Sequence, residues 1–230
     1  MDIREFKSFE EKTGFIFTDK VLLQLAFTHR SFVNENRQLT EHNERLEFLG
    51  DAVLELAVTE HLFGKFASKA EGELTAVRAA LVNTQSISKA AQDLGMNDYL
   101  LLSKGEANDT GRARQYILAN TFEAFIGALH LDQGYEASSK FIADNLFAKV
   151  DEIVEKKLWQ DAKSKLQELA QEHMSITPSY KSVSEVGPDH NKVFTIGVMF
   201  DDVEIAQGEG KSKQEAQQDA AQKALEVKGW

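Results

Sequence analysis

Residues Glu44, Glu47 and Asp51 lie inside a run, His42 to Leu54, that is otherwise patterned as an apolar helix. At 3.6 residues per turn, their spacing stacks the three carboxylates on one helical face. Phe48, Leu49, Val53 and Leu54 occupy much of the remaining surface. Acids stacked in one stripe repel each other unless something neutralises them. A divalent metal is the usual answer. The run therefore calls for a helix with a buried apolar body and an acid-lined edge.

A second run, Ile117 to Leu129, has the same character. Asn120 and Glu123 are one turn apart and share a face. Gly50 and Gly127 lie close to the acids of their respective runs. Small residues let two helices approach closely, so the two polar faces can share one oxygen-lined site.

Residues 1 to about 150 read as helical. Apolar residues recur at spacings of three and four from Val21 to Phe27, Leu46 to Phe63, Leu74 to Leu94 and Ile117 to Leu131. Gly105 to Arg114 is polar and is expected to be a loop. Tyr135 to Val154 is expected to form a further helix. Periodicity fades from Asp151 to Ala162, and the domain boundary is placed there: a first domain of residues 1–152, a linker of 153–161, and a second domain of 162–230.

From Lys163 the period changes. Leu166, Leu169 and Ala170 suggest a short helix that ends before Pro178. Ser179–Val186, Lys192–Phe200 and Val203–Glu209 read as strands; Phe194, Ile196 and Val198 alternate with Thr195, Gly197 and Met199. Asp201-Asp202 supplies a tight turn. Ser212 to Val227 is a last helix with an alanine face at Ala216, Ala220, Ala221 and Ala224. The fold class expected is an all-α N-terminal domain followed by a small α+β domain of order α-β-β-β-α.

The chain has no cysteine, which removes disulfides, thiolate nucleophiles and Cys-based zinc sites. No stretch is long and apolar enough to span a membrane, and a cytoplasmic protein is expected. The net charge of −11 does not by itself point to nucleic acid. Even residues 161–230 hold 8 lysines and no arginine against 12 acids, a net of −4. A nucleic-acid reading must rest on where the few lysines sit.

The run Asn43 to Leu54 resembles the signature segment of the ribonuclease III family almost residue for residue. Leu25 to Ser31, the Glu71-Gly72-Glu73-Leu74 turn and the Leu118 to Leu129 helix resemble its other landmarks in the same order. The stretch from about Asp161 is similar to a double-stranded-RNA-binding domain. The arrangement resembles the bacterial form, with one endonuclease domain and one RNA-binding domain.

Phosphodiester hydrolysis needs a hydroxide at neutral pH and a way to hold charge on the transition state, and magnesium with carboxylate ligands supplies both. The resemblance implies Mg2+, with Mn2+ as a substitute, held by Glu47, Asp51, Asn120 and Glu123. Asp51 and Glu123 are the implied catalytic residues. Glu123 would be the central ligand, and Asp51 would bind or orient the nucleophilic water. Glu44 and Glu71 match further family acids that bind RNA or support the site. Asn120 departs from the aspartate many members carry; a neutral carbonyl still ligates magnesium but supplies no charge, so weaker metal binding is expected. His29 is assigned to structure. Phe48 matches a residue that packs into a partner subunit, which implies a homodimer.

Double-stranded RNA offers 2′-hydroxyls in a shallow minor groove and phosphates across a deep major groove. Ser164 and Gln167 on the first helix, and His190 in the loop Gly187 to His190, match the family's minor-groove contacts. Lys211, Ser212 and Lys213 open the last helix, where free N–H groups and the helix dipole favour phosphate. Ser212 to Glu215 also reads as a capping box.

The resemblance implies an endoribonuclease that cuts double-stranded RNA to 5′-phosphate and 3′-hydroxyl ends in rRNA and mRNA processing. The alternative is a double-stranded-RNA-binding regulator with weak or no cleavage because of Asn120. Retention of Glu47, Asp51 and Glu123 argues for the enzyme, since a binding protein has no physical need to stack unneutralised acids.

Overall fold

A computed structural model describes residues 6–36, 38–156, 161–188 and 192–230. The chain divides into two compact units, residues 1–159 and 160–230. Each has its own apolar core. Among the described residues, no helix is long and apolar enough to cross a membrane.

The first unit is helical: α1 (Lys7–Thr13), α2 (Lys20–Ala26), α3 (Arg30–Glu35), α4 (Glu44–Lys65), α5 (Glu71–Leu81), α6 (Thr84–Asp93), α7 (Lys104–Asn108), α8 (Arg112–Leu146) and α9 (Val150–Glu155). The most extensive contact between elements joins α4 and α8. The apolar periodicity explains it. Leu54, Val58 and Leu62 of α4, and Leu118, Phe122 and Phe125 of α8, are almost wholly removed from water. An aromatic cluster backs α8: Phe125 lies 4.8 Å from Phe141 and 5.4 Å from Phe9 between ring centroids.

Helix boundaries follow local chemistry. The Asp19 carboxylate accepts the Val21 and Leu22 N–H groups and starts α2. Asn83 accepts the Ser86 N–H at 2.9 Å, which divides the Leu74–Leu94 run into α5 and α6. Gly134 adopts φ 83°, open to glycine but costly for other residues, and breaks α8 just before Tyr135, where a new helix is expected. Only residues 109–111 of the Gly105–Arg114 segment form the loop its polarity suggests. Ser103 Oγ accepts the Glu106 N–H at 3.2 Å and starts α7, and α8 is already helical from Arg112. Local capping outweighs polarity there. Helix α9 continues through Glu155, into the span expected to link the two domains.

The second unit runs α10 (Ala162–Met174), β1 (Ser179–Val186), β2 (Val193–Phe200), β3 (Val203–Gly210) and α11 (Lys213–Lys228). The strands form an antiparallel sheet of order β1-β2-β3. Val198 and Phe200 meet Leu166 and Ala170 of α10 and the alanine face of α11 in one core. Short alanine side chains let α11 lie close against the sheet. Asp201 takes the left-handed conformation (φ 52°) in the β2–β3 turn, as the Asp-Asp pair suggests.

Candidate active site

The start of α4 is fastened before its acids begin. The buried Asn43 donates Nδ2–H to the Ala26 carbonyl at 3.1 Å, and its own N–H bonds the Thr28 carbonyl at 2.9 Å. This ties the first turn of α4 to the end of α2. On α8, Glu123 is flanked by the fully buried Phe122 and Ala124, so its backbone has little freedom.

The two glycines let α4 and α8 touch backbone to backbone. A Cβ on Gly50 would overlap the Glu123 carbonyl oxygen, and one on Gly127 would overlap the Leu46 carbonyl oxygen. Glu44, Glu47, Asp51, Asn120 and Glu123, with Phe48, consequently line one open cleft of about 460 Å³. The acids of two runs, some 70 residues apart in sequence, share one site.

Burial raises the Glu123 carboxyl to about 8, with the Asp51 and Glu47 charges adding to the effect. Burial also raises Glu47; Glu44 and Asp51 push the same way, and a hydrogen bond from the Asn120 side chain opposes them. Glu44 pairs with Arg30, 3.4 Å away, and the His42 ring nitrogen Nδ1 lies 3.8 Å from it. Among the described residues, no ion pair reaches Glu47, Asp51 or Glu123.

Among the described residues, no group of three or more His, Cys, Asp or Glu side chains forms a ready-made metal cage. Magnesium does not need one. It is ordinarily held by one or two carboxylates, several waters and substrate phosphates. An open cleft rich in carboxylate oxygens fits such an ion, and Glu47, Asp51, Asn120 and Glu123 are the side chains that would hold it.

Glu71 stands apart from this cleft. It is exposed at the start of α5, accepts a hydrogen bond from Thr75 Oγ1 at 3.0 Å, and lines a separate hollow with Phe63, Lys69 and Arg78. His29 makes a structural contact: its Nδ1 accepts the Ser31 N–H and caps α3. Phe48 is 82% exposed, beside an 880 Å³ groove whose apolar wall includes Leu22, Leu25 and Leu131.

In the second unit Gln167, Lys211, Ser212 and Lys213 are all exposed. Ser164, also exposed, donates its hydroxyl to Asp161 at 2.7 Å. Ser212 Oγ accepts the Glu215 N–H at 3.1 Å, but Glu215 reaches back to the Lys211 N–H rather than to that of Ser212. The expected capping box is thus displaced by one residue. His190 lies outside the described residues. Two contacts carry no local sequence signal, because each joins distant segments: Arg30 with Glu44, and Lys213 with Glu185 at 2.9 Å.

The Ribonuclease-III-like family matches residues 19–150, and the double-stranded RNA binding motif matches residues 162–228. A protein called Ribonuclease 3 from Anoxybacillus flavithermus is 50% identical over 222 residues, 96% of this chain and 93% of its own. Ribonuclease 3 from Protochlamydia amoebophila is 45% identical over 223 residues, 97% and 92% of the two chains. The solved nuclease domain of ribonuclease III from Campylobacter jejuni is 44% identical, with a TM-score of 0.56, over 61% of this chain and 98% of that one. With a helical nuclease domain, an acid cleft between two helices and an RNA-binding domain in this order, the chain belongs to the ribonuclease III family and is an endoribonuclease.

Proposed function

We propose that the chain is a homodimeric, magnesium-dependent endoribonuclease that cuts double-stranded RNA to 5′-phosphate and 3′-hydroxyl ends. Its work would be ribosomal and messenger RNA processing in the cytoplasm. In this reading residues 1–152 cut, 162–230 bind duplex RNA, and 153–161 join them. The observation that carries the proposal is the cleft in which Glu47, Asp51 and Glu123 meet while, among the described residues, none of the three has a cationic ion-pair partner.

A bound magnesium ion would supply positive charge to the scissile phosphate and acidify a water at neutral pH. The protein's own groups have separable tasks. Glu123, with a carboxyl at about 8, holds a proton at neutral pH in the cation-free cleft and would be a ligand for the ion in its ionised form. Asn120 steadies Glu47 through its amide. Asp51 is exposed at the cleft, and its task in this reading is to orient the attacking water. Burial of Glu123 and its fixed backbone keep these oxygens in position.

The exposed Phe48 beside an apolar groove supports the homodimer, since a large aromatic in water is stabilised by entering a partner's groove. The related Campylobacter jejuni nuclease domain is described as having a region involved in dimer formation. Asn120 favours a second reading, a duplex-RNA-binding regulator with little cleavage, because it withholds one charge from the metal. Cleavage of a long RNA duplex in magnesium, with Glu123→Gln beside it, tests both. Cutting that vanishes in the variant supports the nuclease. Tight binding of duplex without cutting would replace it with the regulator.

A further inference from the structure

We infer that Glu185 competes with duplex RNA for the Lys213 ammonium, so that RNA must displace or share a carboxylate to use this lysine. The inference rests on the reading of Lys213 as a phosphate contact at the start of α11. Lys213 Nζ lies 2.9 Å from Glu185 Oε1 and 5.7 Å from the centroid of the Phe194 ring. Glu185 and Phe194 are directly paired across β1 and β2. Sheet register therefore sets the carboxylate and the ring side by side, and the lysine folds over both. Both charged side chains remain open to water, at 59% and 37% exposure, so an arriving phosphate can reach them.

Lys213 is the first residue of a 16-residue helix whose amino end favours anions. The ammonium has three N–H donors but one charge, and that charge is already matched by an anion of the protein. The hydrogen bond from Lys213 holds the Glu185 carboxyl below its usual range, so it is ionised at neutral pH. Glu185 also repels the phosphate directly. In a unit with 8 lysines, no arginine and a net charge of −4, one lysine held in this way is an eighth of those cations.

The test is binding of a short RNA duplex to the full chain, without divalent metal, for the parent, Glu185→Gln, Lys213→Gln and the double variant. Glu185→Gln is expected to strengthen binding about twofold to fivefold at low salt, the range an exposed ion pair can contribute. The gain should shrink as salt rises and should be clearly smaller in the Lys213→Gln background, where only the direct repulsion by Glu185 is relieved. Glu185→Ala, which retains no hydrogen-bonding head group, should strengthen binding at least as much. Lys213→Gln alone should weaken binding and reduce the salt slope by about 0.9.

If Lys213→Gln behaves so but neither Glu185 variant strengthens binding, the competition is refuted while the phosphate reading stands. If Lys213→Gln changes neither affinity nor slope, the phosphate reading itself falls and the inference falls with it. Equal strengthening by Glu185→Gln with and without Lys213 would also overturn the inference, because the carboxylate would then act on RNA alone.

Discussion

Gly50 rests against the backbone of Glu123, with no room for even a methyl group between them. This contact between α4 and α8 sets the separation of the two acid-bearing faces. It explains why a glycine stands within a 22-residue helix, where it weakens the isolated helix by about 1 kcal/mol relative to alanine. The loss is offset by the apolar packing that the close approach of α4 and α8 allows, and the same approach brings Glu47 and Asp51 beside Asn120 and Glu123.

Gly50→Ala should therefore destabilise the protein although it raises helix propensity. The new Cβ meets backbone atoms, which cannot swing aside, so the cost should reach or exceed the usual overpacking range of about 1–3 kcal/mol. Gly64, in the same helix, has nothing within 4 Å of its would-be Cβ. Gly64→Ala should be neutral or stabilising by up to about 1 kcal/mol. Thermal unfolding of the pair decides it; equal melting temperatures would show that the α4–α8 approach is not constrained at Gly50.

Phe48→Ala should leave the fold of each subunit nearly intact, because the ring is 82% exposed and fills no core. A change within about 0.5 kcal/mol is expected for the isolated subunit. Self-association should weaken sharply if the ring enters a partner's groove, as a buried aromatic anchor commonly carries about 2 kcal/mol or more of an interface. Sedimentation across a concentration series reads the dimer directly. An unchanged dissociation constant would remove Phe48 from the interface.

The sequence makes the acid cleft legible because helical periodicity places Glu47, Asp51, Asn120 and Glu123 on definite faces, and Gly50 and Gly127 mark where those faces meet. The three strands and the Asp201-Asp202 turn are legible for a similar reason: alternation and turn chemistry are local. What it conceals is set by contacts between distant segments. Nothing near Glu185 announces Lys213, and nothing near Arg30 announces Glu44. The Gly105–Arg114 segment misleads because a polar stretch can be helical when Ser103 caps it. Glu71 misleads differently, since sequence gives its position at the start of a helix but not which hollow that helix end faces.

The stability of the metal-free protein should fall as pH rises. The folded state holds the Glu123 proton up to about 8, whereas an ordinary glutamate releases it near 4.5. Between these values the folded state binds the extra proton, so deprotonation favours unfolding. The slope from this group approaches about 1.4 kcal/mol per pH unit, less for the part of the carboxyl that still meets water. Glu47, also raised, acts with the same sign. Below about pH 6.5 the lowered His29 and His61 act with the opposite sign, so melting temperatures should decline in the parent between about pH 6.5 and pH 8, and decline less in Glu123→Gln. Parallel curves would show that the Glu123 carboxyl is not strained by its surroundings.

Asn120→Asp should make the metal-free cleft less stable and the metal-loaded cleft more so. The substitution replaces an amide that donates to Glu47 with a further carboxylate among Glu47, Asp51 and Glu123. Without a cation, like charges at this separation raise one another's pKa and weaken the fold. With one, an additional anionic oxygen strengthens binding of a hard divalent ion, here by on the order of tenfold. The rise in melting temperature on adding magnesium should therefore be larger for Asn120→Asp than for the parent, and the magnesium concentration needed for half-maximal cleavage should be lower. An identical thermal shift and an unchanged magnesium requirement would mean that the residue at 120 acts on Glu47 alone and does not share the ion.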